Sequence, residues 1–228
     1  MSAQAALLLF ADGRLPAGGY AHSGGLEESV RAGRVGDAES LESFLEGRAR
    51  TVGLVSAAFA ARSCQAARGL DPLPELEVLD AELDARTPSP AQRETSRQLG
   101  RQLHRLLTGM AQGKPQYPLL ERLPSAPHQP LVLGTACAAF GLRPLDAALV
   151  ALHESVTGPA VAAVRLMSID PFRTHAALAR IAPSLDRLAR HAVQHCGGEP
   201  RDMPAAAAPL LDIAAEAHAT RSERLFAS

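Results

Sequence analysis

The sequence predicts an all-α protein: one domain, a bundle of about ten short helices. Three observations carry this reading. Strand formers are scarce, with Ile169, Ile181 and Ile213 the only isoleucines, two tyrosines and no tryptophan, while alanine and leucine dominate. That bias favours helix over strand. Apolar residues recur every three or four positions, the period of a helix with one buried face. Proline and glycine clusters punctuate the chain where such helices would end.

Leu41, Phe44, Leu45, Val52, Val55 and Phe59 form the first long stripe, with Asp37 or Ser40 placed to cap it. The run VGLVSAAFAA at 52–61 is about half a bilayer span and lies between Arg50 and Arg62, so it reads as a buried helix. Leu76, Leu79 and Leu83 form a shorter stripe. Leu99, Leu103, Leu106, Leu107 and Met110 form another, opened by PSPAQ at 88–92. LVLGTACAAF at 131–140 is apolar all round, as a central buried helix is. Leu145, Leu149, Leu152 and Val156 follow, then Val161, Val164 and Met167 beyond an expected break at Gly158-Pro159. Leu185, Leu188, Ala192 and Val193 precede a last stripe of Leu210, Ile213, Ala214 and Ala217. Other joints are expected at Pro72/Pro74, Pro88/Pro90, Gly113-Lys114-Pro115, Pro124/Pro127/Pro130, Arg143-Pro144 and Gly197–Pro200. The expected organisation is an all-α helical core domain over 1–196. Residues 197–228 then supply a linker, a C-terminal helix and a partner-binding tail.

The net charge is -1, with 46% hydrophobic and 21% charged residues. This is an ordinary soluble balance, without the basic excess that nucleic-acid binding draws on. Neither nucleic acid nor membrane is expected as a partner. Cys64, Cys137 and Cys196 are far apart and form no CxxC, which fits a reducing, cytoplasmic setting. The opening MSAQAALLLFADGR has no basic start, and its apolar run is too short for a secretory leader.

The stretch LPAGGYAHSGGLEESV, 15–30, is the most unusual. Gly19 and Gly24 have P-loop spacing, but Gly25 and Leu26 stand where lysine and a hydroxyl residue are needed to hold phosphate and magnesium. Ala21-His22-Ser23-Gly24-Gly25 approaches a nucleophile elbow, yet the chain has too few β-branched residues for the strand and parallel sheet that carry one. Ser23 suits a helix cap instead, with Glu27 and Glu28 in the first turn. Two readings remain: a purely structural turn, or a recognition loop displaying Tyr20 and His22.

His191, His195 and Cys196 are the only local cluster of metal-ligand types. The blander reading is histidines favoured at a helix C-terminus. Glu39, Glu42 and Glu46 read as a solvated helix face, and Arg173, Arg180, Arg187 and Arg190 as surface charge able to meet an acidic partner. The apolar Leu225-Phe226 pair near the chain end suggests docking, either on its own body or on a partner.

LPAGGYAHSGGLEESV resembles the N-terminal signature of UreF-type urease accessory proteins, which reads like LPVGGFSYSQGLE. Leu15, Pro16, Gly18, Gly19, Ser23, Gly25, Leu26 and Glu27 match it. The tail PLLDIAAEAHATRSERLFAS is similar to the family ending at Pro209, Asp212, Ile213, His218, Arg224, Leu225, Phe226 and Ser228. HQPLVLGTACAAFGL and AAVRL (162–166) also resemble family segments, so the likeness covers nearly the whole chain. After Arg165 the family has a Pro-Leu-Gly-Gln turn; here Ser168-Ile169-Asp170-Pro171 follows. Ala219, Ser222 and Ala227 replace the family's Glu, Tyr and Arg.

The resemblance implies a UreF-like, all-α, dimeric assembly protein with no catalytic centre and no cofactor. Its implied partners are the accessory protein UreD (also called UreH), the GTPase UreG and apo-urease. The implied role is support of nickel insertion and modulation of GTP hydrolysis. The partner-binding residues carried over are Pro16, Gly18, Gly19, Tyr20, His22, Ser23, Glu27, Arg165, His218, Arg224, Leu225, Phe226 and Ser228. The alternatives are a nickel-binding metallochaperone using His191, His195 and Cys196, and a small hydrolase using Ser23.

Overall fold

The computed structural model describes residues 1–110 and 117–228, and among these there is no β-strand. Helices α1 (Ala3–Phe10) and α2 (Leu26–Arg31) open the chain. α3 (Ala38–Arg48) runs through a π-helical turn at 49–53 into α4 (Leu54–Ala66). Next come α5 (Leu73–Ala85), α6 (Pro90–Met110), α7 (Tyr117–Arg122) and α8 (Gln129–Ala139). α9 (Pro144–Met167) and α10 (Pro171–Gln194) are long. Two 3-10 turns, His195–Gly197 and Pro200–Asp202, lead to α11 (Pro209–Ala219). The fold is all-α, as the composition and spacing predict. The joint expected at Gly113-Lys114-Pro115 lies outside the described residues.

The helix starts follow local chemistry. Asp37 caps α3: its carboxylate accepts the Ser40 amide at 2.8 Å, and the Ser40 hydroxyl accepts the Asp37 amide at 3.1 Å. Pro74, Pro130, Pro144 and Pro171 lie in the first two positions of their helices, where a missing N–H costs nothing.

At the centre α8 is buried at every position from Pro130 to Ala139 and lies against α4. The two axes come close because Gly134 has no side chain. A Cβ there would strike the Ala60 carbonyl and sit 2.8 Å from Ser63 Cβ. α9 covers a second side of α4, and α10 packs on α9. α6 crosses α8, where a Cβ on Gly100 would strike the Pro127 carbonyl. α11 lies against α6 and α2.

One buried polar cluster ties α5, α6 and α8 together. His128 is fully buried, with Nε2 2.8 Å from Asp84 Oδ1 and Nδ1 2.9 Å from the Ser96 hydroxyl. A carboxylate can only accept, so Nε2 carries the proton and Nδ1 accepts from Ser96. Arg97 pairs with both Asp80 and Asp84 at 2.9 Å. Burial lowers the His128 pKa, so the imidazole stays neutral between its partners.

The break expected at Gly158-Pro159 does not form: α9 runs straight through it, and α10 likewise contains Pro183. Proline at 159 removes the N–H that would bond the Ser155 carbonyl four residues earlier. Arg48 Nε donates to that carbonyl at 2.9 Å from α3, so the freed acceptor is satisfied across the structure. α9 is the one described helix long and apolar enough to cross a membrane by length and composition, and here it packs against α4 and α10.

The close α4–α8 crossing is testable. Gly134→Ala forces backbone apart, not the end of a flexible side chain, so it should cost about 1–3 kcal/mol in urea unfolding. A change below about 0.5 kcal/mol would contradict the packing described.

Candidate partner-docking site

The two ends of the chain meet at one place. The signature loop is shaped by glycine: Gly18, Gly24 and Gly25 have φ of 88°, 61° and 90°. Only glycine takes this region at no steric cost. Gly18 also abuts the Gln102 side chain, and a Cβ on Gly25 would lie 3.0 Å from Leu211 Cδ2. Gly19–Ala21 forms a 3-10 turn that leaves Tyr20 67% exposed. Pro16 and Gly19 are exposed as well.

The tail lies along this loop by main-chain pairing. Ala227 N–H donates to the Ala21 carbonyl at 2.7 Å, and Ser23 N–H to the Ser228 carbonyl at 2.6 Å. Ser23 is fully buried: its hydroxyl donates to the Ser228 carbonyl at 3.0 Å and accepts the Glu27 amide at 3.3 Å. It therefore braces the start of α2, whose N-cap position is Gly25, while also holding the tail. His22 Nδ1 lies 2.6 Å from the Ser228 hydroxyl.

Glu27 is the hub. Its side chain is only 2% exposed. It accepts the Leu225 amide at 3.0 Å, the Phe226 amide at 3.1 Å and Arg31 Nη2 at 3.1 Å. Burial works to raise its pKa, but those amides, Arg31 and nearby His218 outweigh it and hold the carboxyl below its ordinary 4.5. Glu28 grips Arg221 through both carboxylate oxygens, one pair at 2.8 Å, and is also held low, chiefly by that bond.

Phe226 is the tail's anchor, 6% exposed, with the Arg165 guanidinium 5.2 Å from its ring centroid. The buried His218 on α11 has Nε2 3.1 Å from the Phe226 carbonyl, so that nitrogen donates. Its Nδ1 lies 3.7 Å from Glu28 Oε1.

The structure thus gathers His22, Ser23, Glu27, Arg165, His218, Leu225, Phe226 and Ser228 into one clasp. Pro16, Gly18, Gly19 and Tyr20 form the adjoining loop edge. Arg224 and the 49%-exposed Leu225 face outward. Sequence reading missed Glu28, Arg221 and Arg31. The available signal was two adjacent acids entering a helix whose other end of the chain offers Arg221.

His191 and His195 do not extend to a metal-binding group. Their rings meet edge to face at 5.2 Å, and Cys196 is buried with its thiol pushed up to about 11, mainly by burial. Among the described residues no three His, Cys, Asp or Glu side chains are grouped to hold a metal ion. Cys64 and Cys137 are also free and buried.

Acid should release the tail. The His22 pKa is lowered from 6.5 by burial and by His218, so the folded state favours its neutral form. Stability from His22 is present above 6.5 and falls as pH drops. That from Glu27 and Glu28 is present above 4.5 and is lost as pH falls through their depressed values. The Leu225 and Phe226 amide resonances should therefore shift as pH drops below 6.5 and further below 4.5, ahead of global unfolding. Glu27→Gln should weaken tail docking by about 1.5–3 kcal/mol at neutral pH, read from amide exchange at residues 225 and 226. Unchanged protection would remove Glu27 from this role.

Comparison with known proteins converges on one family. The family model UreF matches residues 35–182. The chain is 40% identical over 237 residues to the urease accessory protein UreF of Mycolicibacterium vanbaalenii, covering 100% of both chains. It is 40% identical over 228 residues to that of Mycobacterium sp. (strain JLS), and 36% over 230 residues to that of Mycobacterium tuberculosis H37Rv, again covering 100% of each chain. These full-length matches include both halves of the clasp, and the chain belongs to the UreF family of urease accessory proteins.

Proposed function

We propose that this protein is an assembly factor in urease maturation. It joins a UreD/UreH-type accessory protein and the GTPase UreG on apo-urease, supports nickel insertion, and modulates GTP hydrolysis, acting as a homodimer in the cytoplasm. The observation that carries this reading is family membership along the full length of the chain. The clasp adds a physical rationale. It fixes a loop and a tail side by side, with Tyr20 on one and Leu225 on the other displayed to solvent. Exposed aromatic and aliphatic anchors beside a rigid polar network are what a protein interface uses. Tyr20 is assigned to UreG recruitment or to the dimer contact, and the tail from His218 to Ser228 to the UreD-type partner.

Tagged protein drawn from its native host, with and without GTP and nickel, should carry UreD, UreG and urease subunits with it. Recovery of none of them by the folded protein would mean that the family role has moved elsewhere. Tyr20→Ala should impair UreG recruitment with the circular dichroism unchanged; intact recruitment would exclude this loop. Deleting 218–228 should abolish co-purification with UreD. Leu225→Asp leaves Phe226 in its pocket and should weaken UreD capture at least about tenfold, the scale of an interface hot spot. Unaltered capture by both variants would rule out the tail.

A further inference from the structure

The clasp roofs a cleft of about 390 Å³ enclosed by the Gly24-Gly25 turn, α4, α6 and α11. This is within the range of small-molecule sites. Part of its wall is apolar, including Val52, Val55, Leu99 and Pro130. The wall also holds Arg48, which forms no ion pair among the described residues. Its Nη1 donates to the Gly24 carbonyl at 2.8 Å and its Nε to the Ser155 carbonyl at 2.9 Å. These bonds leave Nη2 without a partner among the described residues. Burial alone pushes its pKa down to about 10, so it remains a cation at neutral pH, without an ion-pair partner among the described residues. Arginine rarely sits in a partly dry wall unpaired.

The surroundings keep this guanidinium accessible. Gly24 comes so close that a Cβ would lie 3.0 Å from Arg48 Cζ and 3.1 Å from Nη2. A Cβ on Gly53 would lie 2.8 Å from Ser155 Oγ. Glycine at both places keeps side-chain bulk out of the corner that holds the cation. Glu94 and Asp212 also border the cleft. Glu94 is exposed, Asp212 is bonded by the Ser89 amide, and the Ser228 oxygen at the cleft edge is taken by the Ser23 amide and hydroxyl, so none of the three is ion-paired with Arg48.

We infer that this cleft is a binding site for a small organic carboxylate, its anionic head on Arg48 Nη2 and its apolar body against Val52, Val55 and Leu99. The cleft shares His22, His218, Arg224 and Ser228 with the partner surface assigned above, but the inference rests on Arg48 and the apolar wall and not on that assignment.

Benzoate and its neutral analogue benzamide test it directly on the intact protein. By calorimetry and saturation-transfer NMR at low salt, benzoate should bind at least about tenfold more tightly than benzamide, the scale of a hydrogen bond to a charged group. Arg48→Gln should abolish that preference. Arg48 also supports α9, so this variant can fail for structural reasons. Thr95→Phe, which fills the cleft from α6 and leaves Arg48 in place, should abolish benzoate binding with helicity retained. Equal binding of the two probes, no binding of benzoate, or undiminished binding by folded Thr95→Phe would each overturn the inference.

Discussion

A single buried carboxylate links the two ends of this chain. Glu27 cannot sit at 2% exposure without donors, because an unpaired buried charge is far too costly. Two of its three donors are main-chain amides almost two hundred residues away in sequence, at Leu225 and Phe226. The tail is therefore a condition for the position of α2, and α2 a condition for the path of the tail. Phe226 burial and Glu28–Arg221 pairing strengthen the same contact. Loop and tail behave as one unit, so whatever lifts the tail also disturbs the loop that displays Tyr20.

The glycines of the signature loop serve that unit. Gly24 and Gly25 take left-handed backbone and bring the chain against Arg48 and Leu211, closer than a side chain would permit. Arg48 then connects the loop carbonyl of Gly24 to the Ser155 carbonyl that Pro159 leaves unbonded. One guanidinium thus secures the loop, lets α9 continue through a proline, and joins both to α3. The glycine-rich stretch needs neither a phosphate nor a nucleophile to account for its composition.

What was legible in the sequence was local. Helical spacing located the buried face of α4 and the buried run of α8, one of its two offered caps, Asp37, starts α3, and most proline clusters marked helix starts. Pro159 misled because its compensation comes from Arg48, more than a hundred residues away, and no local pattern encodes that donor. The clasp residues were found through resemblance at each end, but their pairing was invisible, since nothing in either segment specifies the other. Glu28 looked like a helix-dipole charge and is also the carboxylate that holds Arg221. His191, His195 and Cys196 lie close in sequence, yet among the described residues no three metal-ligand side chains are grouped there.

The divergent turn after α9 leaves this clasp intact for a geometric reason. Arg165, which stacks on Phe226, lies within α9, before the chain reverses at Ser168 in a left-handed conformation. Asp170 then caps α10 by accepting the Phe172 amide at 2.9 Å, so the turn is closed by its own side chain and not by the tail. The side chain next in line, Phe172, stands 85% exposed. Where the resembling family segments carry a Gly-Gln turn, this protein presents an aromatic ring on a capped helix start. The substitution alters the chemistry of the exposed surface at that end of α9 and α10, while Ser23, Glu27 and Arg165, which hold the tail, lie upstream of it and His218 lies beyond it on α11.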